Sequence, residues 1–201
     1  MNLMNRLVTK KEKIKLRYTE TTLKEQMNER ILSWLPSEPH EYIIVCIGTD
    51  RSTGDALGPL TGTYLSELKP KHLHVYGTLS DPVHAVNIEN RINKIYNKHQ
   101  SPFTIAIDAS LGKSASVGHI IADVGPLSPG AALNKKLPAI GDIHITGVVN
   151  ISGFMDYNIL QNTRLFVVVE MAQIIASILA NIDQKLTYAN TPRSDQVFIR
   201  D

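Results

Sequence analysis

Apolar and polar positions along this chain switch repeatedly between two periods. Tyr42 to Ile47 is an unbroken apolar run, the pattern of a strand buried on both faces, and after a polar, glycine-bearing loop Ala56 to Leu68 takes up helical spacing. The switch recurs: His72 to Tyr76 predicts a second strand, Ala85 to Lys98 a second helix, and Phe103 to Asp108 a third strand stopping on a carboxylate. Val117 to Asp123 and Ile143 to Ile151 add strand-like runs, separated by an excursion from Gly125 to Gly141 that carries three prolines. Leu165 to Ile182 opens with the strand-favouring Phe166-Val167-Val168-Val169, but its apolar pattern is too long for one strand and predicts a mostly buried helix. The polar tail from Lys185 onward is expected at the surface. Upstream, Thr21 or Thr22 can cap a helix carrying Leu23, Met27, Ile31, Trp34 and Leu35, which Pro36, Ser37 and Pro39 then stop.

This alternation predicts an α/β fold, a three-layer α/β/α sandwich around a mostly parallel central sheet. Residues 40–201 form its single α/β domain, and residues 1–39 a basic arm and helix ahead of it. Pro59 is compatible with the helix over 56–68 because the first turn has no internal donors to lose.

If the strands over 42–47 and 103–108 share one parallel sheet, Asp55 and Asp108 both emerge at its carboxyl edge, where open α/β sheets place their chemistry. Two carboxylates in reach of each other cannot both stay fully ionised, so one is driven towards the acid while the other remains a base. Such a dyad can activate water. Asp55, at a helix start, has its anion favoured by the helix dipole and points to the base; Asp108, leaving a buried strand, points to the acid. A plainer role stays open for each: Asp55 as N-cap of the helix beginning at Ala56, and Asp108 as a cap on the loop at Ser110.

His84 and His144 are candidates for a proton carrier or metal ligand in the same cleft, although each also suits a structural role. His72 and His74 share a strand face, but no third ligand is evident nearby and they read as structural. Gly112-Lys113-Ser114 resembles the end of a phosphate loop, yet the required upstream glycine position holds Ile107. The Gly48 loop lacks the G-x-G-x-x-G pattern, no G-x-S-x-G elbow occurs, and Cys46 lies inside an apolar strand. Dinucleotide, serine and cysteine chemistry are therefore set aside.

Composition narrows the setting. With 43% hydrophobic and 20% charged residues among 201, the chain has the balance of a soluble globular protein, and a formal charge of +2 gives no ground for a nucleic-acid or membrane partner. Arg6, Lys10, Lys11, Lys13, Lys15 and Arg17 give the amino terminus a basic bias that reads as a solvated or flexible arm. The single cysteine excludes an internal disulfide framework and fits a reducing compartment. The first thirty residues lack a signal-peptide apolar stretch, and the segment from Leu165 to Ile182 is interrupted by Glu170, Gln173 and Ser177, so a cytoplasmic protein is expected.

The run from Cys46 to Pro59, with its Gly-x-x-x-x-x-Gly-Asp-Ala-Leu-Gly-Pro signature, and Ile107-Asp108-Ala109 downstream resemble the germination protease family of spore-forming bacteria. Within that family the chain is most similar to the YyaC-type sporulation proteases, whose pattern the loop Asp81-Pro82-Val83-His84-Ala85-Val86-Asn87 also fits. The likeness runs from Ile43 to Leu111, weakens around Asp142 to Ser152, and is not seen over Met1 to Pro39. It implies the α/β/α fold of hydrogenase maturation endopeptidases and peptide hydrolysis by an Asp55–Asp108 dyad, without a cofactor. Asp50, Gly54, His84 and His144 are expected in support. The implied substrate is a protein or peptide, such as small acid-soluble spore proteins, in the forespore or spore core. Germination proteases carry a removable amino-terminal segment, so the arm is read as a propeptide, a packing helix, or neither. In the hydrogenase enzymes the corresponding acidic positions and a histidine recognise nickel in the substrate, which would map to Asp55, Asp108 and His144. Here Gly54-Asp55 stands where those enzymes show Asp-Glu or Asp-Asp, so nickel recognition is not expected. Two alternatives accompany the endopeptidase reading: a binding protein that keeps the fold without cutting, and a metal-guided maturation endopeptidase.

Overall fold

Backbone pairing joins six strands into one mixed sheet of order β1-β5-β6-β4-β2-β3, in a computed structural model that describes residues 13–36, 41–129 and 138–190. The strands are β1 (Ile14–Arg17), β2 (Tyr42–Cys46), β3 (Leu73–Tyr76), β4 (Phe103–Gly112), β5 (His119–Val124) and β6 (Ile143–Ile151). The helices are α1 (Leu23–Leu32), α2 (Leu57–Glu67), α3 (Ile88–Lys98), α4 (Asp156–Gln161) and α5 (Leu165–Asn190). Strands β3, β2, β4 and β6 run parallel, and β5 and β1 add an antiparallel margin.

Period-two side-chain alternation along β2 builds the two faces. Tyr42, Ile44 and Cys46 join the large core formed with α1, α2 and α5, while Ile43, Val45 and Ile47 meet Ile88, Ile92 and Ile95 of α3 on the opposite face. The result is the α/β/α layering expected from the sequence. Helix α5 is long and apolar enough over Leu165–Leu186 to cross a membrane. Its Val168, Met171, Ala172, Ile175, Leu179 and Ile182 are nevertheless fully enclosed, which makes it the core helix of the larger face.

Several expectations need correction. Residues Ile14–Arg17, read as part of a solvated basic arm, form an edge strand pairing with β5. Ile14 and Leu16 alternate with Lys15 and Arg17, so one face packs on the core while cations occupy the other, an arrangement that also discourages a further strand from adding there. Arg6, Lys10, Lys11, Ser37 and Pro39 lie outside the described residues, as do residues 130–137 of the excursion between Gly125 and Gly141. Strand β4 does not end at Asp108 but continues to Gly112, because β6 keeps pairing with it after β2 has stopped. Helix α3 begins at Ile88 rather than Ala85, with the preceding residues held in a turn by the Asn87 N–H bond to the His84 carbonyl. Helix α5 runs past Lys185, and Leu186 is buried rather than part of a surface tail. The short α4 had no counterpart in the sequence reading.

One buried carboxylate ties α5 to the sheet. Asp183 accepts the backbone N–H groups of Lys71, His72 and Leu73 at 2.9, 2.7 and 3.1 Å, organising the start of β3. Asp183→Asn keeps the shape but replaces one accepting oxygen by a donor facing donors. We expect it to cost on the order of 3 kcal/mol in urea unfolding, with the slope of the transition unchanged.

Candidate active site

The loop after β2 is shaped by backbone that must pass very close to itself. Gly48 has φ of +139°, and a Cβ there would fall 2.0 Å from the Asp55 carbonyl oxygen, which accepts the Thr49 N–H at 3.1 Å. The loop therefore closes on itself and delivers a short 3₁₀ turn, Gly54–Ala56, ahead of α2. Gly58 allows the first turn of α2 to rest on the end of β2, since a Cβ there would lie 2.0 Å from the Ile47 carbonyl oxygen. Gly54 is enclosed for a similar reason, its missing Cβ facing Leu160 and Thr163 at 2.8 and 2.9 Å.

This construction sets Asp55 in a cavity of about 660 Å³ that Asp108 also lines, the latter from β4 directly opposite Thr146 of β6. The cavity lies beyond the carboxyl end of β2, as the βαβ pattern required. Its walls are mostly apolar, with Ile47, Leu111, Leu127 and Leu160 among them. The capping alternatives for the two aspartates are not seen. The residue before α2 is Ala56 and no side chain caps that helix, while Asp108 accepts the adjacent Ala109 N–H at 2.8 Å and not a group of Ser110.

Burial governs the electrostatics. It raises the Asp55 carboxyl to about 6, against the Thr49 backbone N–H, which pulls it down. Burial, and then the neighbouring Asp55 charge, hold the Asp108 carboxyl well above the usual carboxylate range despite the Ala109 N–H. Near neutral pH this favours one proton on the pair, residing on Asp108, with Asp55 ionised.

A stability signature follows from the same shifts. Native carboxyls with raised pKa bind protons that the unfolded chain has already released, so their contribution is full below the ordinary carboxylate value near 3.8 and is lost as pH rises through about 6 and above. Asp108→Asn should thus match the wild type in Tm near the acid end of this window and exceed it at pH 8. A differential scanning series across pH checks this; a variant less stable than wild type at pH 8 would contradict the assigned burial cost.

The remaining predicted residues divide. His84 lines the cavity, and its Nδ1 accepts the Val86 N–H at 3.2 Å, which leaves Nε2 as the ring nitrogen free to donate. Asn87 fixes the same loop, accepting the His84 N–H at 2.9 Å and donating to the Pro82 carbonyl at 3.0 Å. His144 is not brought to the cavity. It is the second residue of β6, with Nδ1 at 2.9 Å from the Gly125 carbonyl, and the position nearer the carboxyl edge on the same face is Thr146. The trio Asp55, Asp108 and His144 is accordingly not assembled. Asp50 is exposed on the loop outside the cavity wall, its nearest partner being Thr49 Oγ1 at 3.5 Å.

Other lining residues were not singled out from the sequence. Arg51 supplies a cation at the cavity, and Ser52, 6% exposed, lines it with an Oγ that has no hydrogen-bond partner among the described residues. Both lie inside the Gly48–Gly54 loop, so their place between the two glycines was the available signal. Tyr157 comes from α4, for which the sequence held none.

A mixed sheet between helical layers defines an α/β fold that a solved structure of another protein shares. The crystal structure of the [NiFe] hydrogenase maturation protease HycI from Thermococcus kodakarensis KOD1 superposes with a TM-score of 0.55 at 20% identity, over 77% of this chain and 99% of that one. At that identity the likeness is one of fold. The chain itself belongs to the family described as Protein of unknown function (DUF1256), which it matches over residues 15–178. It is 47% identical over 187 residues to the Uncharacterized protein YyaC of Bacillus subtilis (strain 168), covering 92% of this chain and 91% of that protein. The family match begins one residue inside β1 and takes in all of α1.

Proposed function

We propose that this protein is an endopeptidase in which Asp55 and Asp108 hydrolyse a peptide bond through an activated water. The observation that carries the reading is the pair of carboxyls in one cavity, both raised by burial and separated in acidity by their different surroundings. The ionised Asp55 takes a proton from water as its oxygen attacks the peptide carbonyl carbon. Protonated Asp108 hydrogen-bonds the carbonyl oxygen and then gives its proton to the leaving nitrogen as the C–N bond breaks. Asp55 finishes protonated and Asp108 ionised, and transfer of that proton between them restores the starting state. His84, with Nε2–H available, is a further donor for the developing oxyanion.

The resemblance of the Cys46–Pro59 run to germination proteases supports spore proteins as the substrate class and a cytoplasmic, forespore setting. A nickel-guided reaction is not advanced, because His144 is engaged with Gly125 away from the cavity. A second reading, a partner-binding protein that keeps the fold without cutting, is favoured by exposed apolar side chains near the cavity, notably Val86 at 85% and Phe154 at 96%. Incubating the protein with small acid-soluble spore proteins and sequencing new amino termini separates the two. The endopeptidase reading expects cuts by wild type that vanish with Asp55→Asn and with Asp108→Asn. Stable capture with no new termini supports the binding reading, and equal cutting by both variants would falsify the dyad.

A further inference from the structure

At the opposite end of the sheet from the cavity, three residues from separate stretches of chain converge. Glu41 immediately precedes β2, His74 lies on the edge strand β3 opposite Ile43, and His99 follows the last residue of α3. One ligand-capable atom from each lies within 4.8 Å of the others. The histidine rings are 4.7 Å apart between centroids and tilted by 43°. His99 is 3% exposed, and its two nitrogens have different surroundings. Nε2 is 2.8 Å from the Tyr76 hydroxyl, while the buried Nδ1 makes no hydrogen bond among the described residues and faces the Glu41 carboxylate at 3.3 Å.

From this geometry we propose that Glu41, His74 and His99 form a binding site for a divalent zinc ion. Two ligands bonded at about 2.0–2.1 Å to one tetrahedral ion stand about 3.3 Å apart, the observed separation of Glu41 Oε1 and His99 Nδ1. Two imidazoles and a carboxylate suit zinc, and the fourth position is left to water. Tyr76 supplies the outer support a metal-binding histidine needs: if Nε2–H donates to the Tyr76 oxygen, the lone pair is placed on Nδ1, on the side of Glu41 and His74. The ion would staple edge strand β3 to the start of β2 and the end of α3. The sequence placed His72 and His74 on one strand face but offered no third ligand nearby; the fold supplies Glu41 and His99 from either side in the chain.

The test uses tag-free protein freed of metal by a chelator, titrated with zinc chloride by calorimetry near pH 7.5. The expected result is one zinc per chain with a dissociation constant in the micromolar range or tighter, and slower amide hydrogen exchange in β3 when zinc is present. Tyr76→Phe should weaken binding by about 10- to 100-fold, and His74→Ala by more, since it removes a ligand rather than its support. Glu41 and His74 are exposed, so Glu41→Gln and His74→Ala should fold as wild type by circular dichroism. Asp55→Asn and Asp108→Asn should bind zinc unchanged, which separates this site from the cavity. No uptake by folded wild type, or uptake that His74→Ala and Glu41→Gln leave unaltered, overturns the proposal and leaves a simple His99–Glu41 contact.

Discussion

Asp55→Asn lowers kcat on a cleavable peptide by about 10²–10⁴-fold with little change in KM, the loss expected when a positioned general base is removed. The side chain keeps its volume and the cavity keeps its shape, so substrate binding is largely retained while proton abstraction from water is not. The wild-type kcat/KM should rise through pH of about 6 as Asp55 ionises, and fall at higher pH as Asp108 loses its proton. Asp108→Asn abolishes the acid arm to a comparable degree, and the double variant should be little worse than either, because the two act as one unit. Steady-state kinetics across pH on the single and double variants checks all three statements. An unchanged kcat in Asp55→Asn sinks the mechanism.

The second large effect is structural. Gly58→Ala would put a methyl group 2.0 Å from the Ile47 carbonyl oxygen, where the three nearest atoms are all Ile47 backbone and no side chain can swing aside. The variant can fold only by lifting the start of α2 off β2, and the expected loss is about 3 kcal/mol or more, read from chemical denaturation. Asp55 sits in the 3₁₀ turn that leads into that helix, so activity should fall further than stability alone explains. Ala56→Gly, two residues earlier and free of this clash, serves as the comparison.

Much of this architecture was legible because its signals are local. The five apolar residues of β2, the helical spacing after Gly54 and the repetition of that unit made a parallel core and its reactive edge readable. The two aspartates stood out for the same reason, each following a buried run. What escaped depended on contacts between distant segments. Ile14 and Leu16 carry a period-two signal too short to see among six cationic side chains, and only pairing with β5 makes a strand of it. His144 read as a candidate for the cleft from its run Gly141 to Gly147 and, through the resemblance, as the third position beside the two aspartates. Two residues of register separate it from Thr146, which takes the place beside Asp108. His99 gave no sign of its relation to His74, since that contact needs α3 to return across the sheet. Tyr157 belongs to a six-residue helix that leans on tertiary packing rather than propensity.

The first strand sets what a cut near the amino terminus does to the sheet. A cut ahead of Ile14 would leave the sheet intact, but one after Arg17 would strip the outermost ladder and bare the backbone groups of β5 to any passing chain. Loss of Ile14–Arg17 would thus turn the covered β5 ladder into an open, adhesive sheet edge.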